Sequence, residues 1–239
     1  MSPSLAGFNE VILEQIRAMP TGGGYSTNLQ AHRGLAESVE AGGRIRPESA
    51  MPGYCSGATY LVLLKTLAAL ERRGKISLTA ETWDALRPRL RPDGQDTLPD
   101  GEGIWGRWNA NGPGTARLFF ALGLGRNFTE FAGAEPGDFL KIFWTDAVGK
   151  RESGHSVIFL GMETVDGVPF VRFWSSNRPG GFGEKSVPRT QIVRALFSRL
   201  EHPEQISQWA KLPERDAYLA GLLGAESSFA EAKAQSGLR

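Results

Sequence analysis

The chain has one cysteine, three histidines and a net charge of only +1, and each shortage removes a class of protein. With Cys55 alone no intramolecular disulfide framework can form. His32, His155 and His202 beside a single thiol are too few soft ligands for a structural zinc site, so no metal or other cofactor is expected. The 27 Lys and Arg barely exceed the 26 Asp and Glu, and they are scattered, which argues against a nucleic-acid partner. The longest apolar stretch, Tyr60 to Leu64 and then Leu67 to Leu70, is broken by Lys65 and Thr66. It falls well short of a bilayer, so no membrane span is expected. Met1 to Gly7 carry neither a basic opening nor a long apolar run. The protein is therefore expected to be cytoplasmic, or periplasmic or secreted after removal of a signal.

What is present is ordinary in bulk: 239 residues, 41% hydrophobic and 22% charged, enough for a sizeable core in one domain over 1–239. Apolar spacing at Phe8, Val11, Ile12, Ile16 and Met19 predicts a first amphipathic helix, stopped by Pro20 and Gly22 to Gly24. A second helix is predicted over Asn28 to Ala41. From Ser56 to Arg73 the pattern is apolar almost all round and ends at Gly74, as in a buried helix. Residues 77–127, rich in Gly, Pro, Asp and Trp, read as a surface excursion with short helices near Ala80 to Leu86 and Thr115 to Leu122. Strands are predicted at Phe139 to Trp144, His155 to Gly161 and Phe170 to about Asn177. Helices follow over Thr190 to Leu200 and Pro203 to Leu222, then a frayed polar tail after Ser227. Helices, then consecutive antiparallel strands, then helices is an α+β order.

Cys55 begins the buried helix, where unpaired N–H groups and the positive end of the helix dipole favour thiolate. The plain alternative is a packed thiol, because free cysteine is among the most buried residue types. His155 opens a strand and could act as a base for Cys55 or be merely structural. Taking Val165-Asp166-Gly167 as a three-residue turn pairs Thr164 with Val168 and, carried back, sets His155 opposite Asn177 at about 5 Å between Cβ atoms. A two-residue turn would instead bring Ser176 to that face. Asn177 is thus the third candidate, with a turn role as its alternative, and Ser175 on the same face is in reserve.

Tyr54 and Ser56 flank the cysteine. Trp105 and Trp108, with Asn109 and Asn111, form a patch that either lines a substrate groove or staples the excursion to the core, the second reading being preferred. Arg178 to Gly183 reads as a flap over the site and matches no phosphate-cradling loop. Tyr25 and His32 are weaker candidates for the edge of a cleft, and His202 is treated as structural.

Cysteine, histidine and asparagine in that order is the arrangement of papain-like enzymes. Cys-Ser-Gly at 55–57, Glu-Pro-Gly-Asp-Phe at 135–139, Gly-His-Ser-Val-Ile-Phe-Leu-Gly at 154–161 and Trp-Ser-Ser-Asn at 174–177 resemble the NlpC and CHAP groups of papain-like cysteine amidases. The likeness spans Tyr54 to Asn177, although many relatives have Asp at the Tyr54 position and the 77–127 excursion lies outside the shared pattern. It implies a papain-like fold, with the cysteine helix packed on a small antiparallel sheet and extra helices at both ends. It also implies Cys55 as nucleophile, His155 as base and a polar residue of the next strand as third member. Trp174 in the last motif joins Tyr54, Ser56, Trp105 and Trp108 as a candidate for substrate contact. The substrate implied is an amide bond of a peptidoglycan stem peptide or similar peptide. A thiol-dependent acyltransferase and a non-catalytic wall-binding module are the alternatives.

Overall fold

The computed structural model describes residues 7–91, 94 and 100–239. Residues 1–6 of the leader reading, and 92, 93 and 95–99 of the excursion, lie outside the described residues. The α-helices are α1 Asn9–Arg17, α2 Leu29–Glu37, α3 Cys55–Arg72, α4 Ala80–Leu86, α5 Gly103–Asn109, α6 Gly114–Leu122, α7 Ala217–Gly221 and α8 Phe229–Gln235. The strands are β1 Gly22–Gly23, β2 Gly125–Phe128, β3 Phe139–Phe143, β4 Val148–Gly149, β5 Gly154–Val165, β6 Val168–Asn177, β7 Gly181–Pro188, β8 Arg194–Leu200 and β9 Glu226–Ser227. Together they make an α+β protein.

Seven strands form one sheet in the order β1-β7-β6-β5-β3-β8-β2, with antiparallel neighbours throughout. β4 and β9 form a separate small pair. α3 lies on one face of the sheet, where Leu61, Leu64 and Leu67 share a core with Phe139, Ile158 and Trp174. Alternate residues of the same strands, among them Leu140, Val157, Phe159, Phe173 and Phe197, form a second core on the other face. Period-two alternation feeds both cores. α3 itself is dense in Leu and Ala, strong helix formers. It stops at Gly74, whose φ of 65° lets the N–H groups of Gly74 and Lys75 reach the carbonyls of Glu71 and Leu70. Among the described residues, no helix is long and apolar enough to cross a membrane.

Pro136-Gly137-Asp138 sets up a buried polar knot. Arg199 grips Asp138 with two bonds of 2.7 Å, Asn9 Nδ2 donates to the same carboxylate, and neither Arg199 nor Asp138 has solvent-exposed side-chain area. The knot ties α1 to β8 and the entry of β3.

Several expectations are corrected. Thr190 to Leu200 is not a helix but contains β8, whose residues 195–200 are all buried. A strand with both faces covered loses its alternation and imitates a helix in sequence. Pro203 to Leu222 holds a 3₁₀ segment, Pro203–Lys211, and the short α7, separated around Pro213, which has no N–H to continue a helix. The stretch after Ser227 is not frayed, since α8 is capped by Ser228 and buries Ala232. The proposed flap at 178–183 gives way at Gly181 to β7, paired along β6 and with β1. The 77–127 excursion is no mere surface feature, because Trp83, Trp105, Trp108 and Phe119 belong to the core under α3.

Candidate active site

Cys55 is the first residue of α3, and the side chain of the N-cap residue Tyr54 does not cap that helix end, which leaves backbone N–H groups of the first turn available there. Backbone carbonyls on either side of Cys55 are held from two directions. Ser176 Oγ of β6 donates to Gly53 O at 3.0 Å, and Trp108 Nε1 of α5 donates to Ser56 O at 3.1 Å. The end of a buried helix is thereby fixed to the sheet on one side and to the excursion on the other.

His155 lies across the ladder from Ile142, half-buried, with its ring packed near Phe173 and Trp144. Its Nε2 is 3.1 Å from Asn177 Oδ1. The amide of Asn177 has a definite orientation, because its Nδ2 donates to Gly183 O at 2.8 Å and Ser175 O at 3.2 Å. Oδ1 must then accept, so Nε2 carries the proton and Nδ1 keeps a lone pair for the thiol. Ser175, the reserve candidate, is buried and spends its hydroxyl on Ser156 O at 2.7 Å.

The register that brings His155 to Asn177 differs from the three-residue turn expected. Val165 pairs with Val168, leaving a two-residue Asp166-Gly167 turn with φ of 50° and 78°, the left-handed pair that suits a tight hairpin. Gly161 faces Arg172 but Phe159 faces Phe173. Leu160 is the extra residue of a β-bulge, beyond which the pairs follow the register of Ile158 with Trp174; carried on, that register sets His155 opposite Asn177.

Burial pushes the Cys55 thiol up, but the hydrogen bond with His155, the charge of His155, the backbone N–H of Ser156 and the charge of Lys141 outweigh it and bring the thiol to about 6. Tyr25 also hydrogen-bonds Cys55, and burial together with the neighbouring thiolate pushes its phenol up to about 12. It stays a neutral donor toward the sulfur.

The cleft at Cys55 measures about 360 Å³, and Asp100, Asn109, Asn111, Lys141 and Glu152 line it together with Tyr25. Lys141 Nζ lies 2.6 Å from Glu152 Oε1, whose side chain is only 3% exposed. Glu152 Oε2 accepts from the N–H groups of Gly112 and Gly149. A larger cavity of about 730 Å³ lies between α4, α5 and residues 209–214. Its described lining has no cysteine, serine, threonine or histidine, and its Arg87 and Arg89 are paired with Asp84.

Of the residues expected to touch substrate, Tyr54 and Ser56 line the cleft, the hydroxyl of Ser56 donating to Asn109 Oδ1. Trp105, Trp108 and Trp174, 2%, 1% and 4% exposed, are core residues and do not line it. Large aromatic surface is worth more buried than solvated, and Trp108 holds the first turn of α3 rather than a ligand. Tyr25 and His32, rated weak from sequence, do border the cleft. Lys141 and Glu152 were missed, although a lysine inside the aromatic run Phe139-Leu140-Lys141-Ile142-Phe143, directly across from Ser156, was the available signal. Compared with protein-family models, curated proteins and solved structures, the chain matches none.

Proposed function

We propose that this protein is a cysteine-nucleophile amide hydrolase of papain-like architecture. The observation that carries the reading is geometric: a cysteine at the start of a buried helix interacts with a histidine that draws its thiol down and whose far nitrogen is held by an asparagine. In the reaction, the Cys55 thiolate attacks the amide carbon, and the backbone N–H of Cys55 stabilises the oxyanion. Collapse breaks the C–N bond as protonated His155 gives its proton to the departing amine, leaving a thioester. His155 then takes a proton from water, the hydroxide displaces the thiolate, and the carboxylic acid leaves. Asn177 keeps the imidazole in the tautomer that both halves need.

The substrate class, a peptide amide of peptidoglycan or related material, rests on the resemblance of residues 54–177 to NlpC and CHAP amidases. Such a substrate would place the mature protein outside the inner membrane. The test is digestion of stem peptides by the wild type and Cys55→Ala, with products identified by mass in the presence and absence of added amine. Free acid made only by the wild type supports hydrolysis. A new amide made at the expense of the acid points to acyl transfer, and equal turnover by Cys55→Ala removes the reading.

A further inference from the structure

The open space at Cys55 does not end at Tyr25. A second groove of about 480 Å³, lined by Tyr25, Ser26, Thr27, Asn28, Arg178 and Pro179, lies beyond it. Tyr25 and Thr27 are walls of both spaces. Tyr25 interacts with both the Cys55 thiol and the Arg178 guanidinium, and the Arg178 guanidinium carbon sits over the Tyr25 ring, 4.8 Å from its centre. Arg178 also directly follows Asn177 in the chain. The guanidinium is thus linked to the Cys55 thiol through one phenol.

The two cations of the site differ in what they already hold. Lys141 is matched by Glu152 within the protein. Arg178 is exposed, and among the described residues its partner is the phenol of Tyr25 rather than a carboxylate. Stacking on an aromatic ring holds the guanidinium in place, so little rotamer freedom is lost when a ligand arrives. Its planar fork of N–H donors matches a carboxylate. The rest of the groove offers hydroxyls and an amide from Ser26, Thr27 and Asn28, suited to a polar ligand and poorly suited to an aliphatic one.

We propose that Arg178 is a specificity-determining residue that binds a substrate carboxylate about one residue away from the amide presented to Cys55. The proposal rests on the hydrolase reading and narrows it to amides with a free acid group beside the scissile bond, disfavouring their amidated counterparts.

The test uses the thiol itself. N-bromoacetylglycine and N-bromoacetylglycinamide differ only in carrying a carboxylate or a carboxamide one residue from the carbon attacked. With either reagent the sulfur displaces bromide and forms a thioether. The ratio of the two alkylation rates at Cys55, anionic over neutral, is measured in the wild type, Arg178→Gln and Arg178→Lys at low and high salt. Because the ratio is taken within each protein, any change in thiol reactivity divides out. The ratio is expected to fall about tenfold in Arg178→Gln, to fall less in Arg178→Lys, and to fall in the wild type as salt rises. A ratio in Arg178→Gln within about twofold of the wild type overturns the proposal, since an exposed ion pair contributing that little has no selective force. The neutral reagent alone reads the hydrolase proposal. If it alkylates wild-type Cys55 no faster than a free thiol while the ratio still falls, the nucleophile reading fails and the anion site stands.

Discussion

Asn177 Oδ1 accepts from His155 Nε2 at 3.1 Å, while the Asn177 amide nitrogen is spent on two backbone carbonyls. The imidazole is thus held by a group that is itself locked. Asn177→Ala is expected to lower kcat/KM about 10- to 100-fold, the effect of losing a hydrogen bond to a group that becomes charged in the reaction. Ser175→Ala should stay within about threefold, because the Ser175 hydroxyl serves Ser156 O. Steady-state kinetics on one peptide substrate decides between them, and a larger loss for Ser175→Ala would reverse the assignment.

The pH dependence of Cys55 alkylation follows from the influences on the thiol. In the wild type the rate should rise with pH through an inflection near 6, as thiolate replaces thiol. His155 supplies the two strongest downward influences against burial. In His155→Ala burial therefore gains, and the inflection moves up toward or beyond the ordinary thiol value of 9.0. An inflection left near 6 would mean that the helix end and Ser156 suffice without the imidazole.

Glu152→Gln should move the same inflection the other way. The buried carboxylate is a negative charge in the cleft and neutralises Lys141. Removing it leaves the ammonium unopposed, favours thiolate and lowers the inflection below the wild-type value. The variant should also lose about 3 kcal/mol of stability, since one half of a nearly buried ion pair is stranded. Iodoacetamide kinetics and urea unfolding read the two effects separately.

The knot of Asp138, Arg199 and Asn9 is distant in sequence and buried, so its removal should be felt in stability. Asp138→Ala leaves the Arg199 guanidinium without its two bonds and is expected to cost about 3 to 5 kcal/mol. For a chain of this length that is a fall of roughly 10 °C in Tm. A Tm within about 2 °C of the wild type would show that solvent or Glu135 replaces the carboxylate.

What sequence reasoning reached, and what escaped it, divides along physical lines. α3 was legible because a segment apolar almost all round and closed by Gly74 has few other solutions. Cys55 at its start and His155 at the head of β5 were legible for the same local reasons. The meeting of His155 with Asn177 was expected from a turn one residue longer than the real one. The Asp166-Gly167 turn and the Leu160 bulge are each one-residue effects that cancel, and a bulge leaves little trace in composition. β8 escaped because burial on both faces hides a strand's period. The tryptophans of the excursion were offered two places, groove or core, and core was the preferred one. Their position under α3 also shows why a segment outside the shared motifs bears on the first turn of the cysteine helix. Arg178 and Tyr25 are joined only in space, on elements far apart in the chain, so no local pattern links them.

The bulge at Leu160 acts as a vernier between the hairpin tip and the site. Beyond it, Met162, Val165 and Val168 are exposed and depend on one register. Before it, His155 and Asn177 depend on another. The one residue that steps out of the ladder at Leu160 offsets the two-residue tip, so the imidazole and its amide meet although the outer half of the hairpin runs one residue out of the inner register.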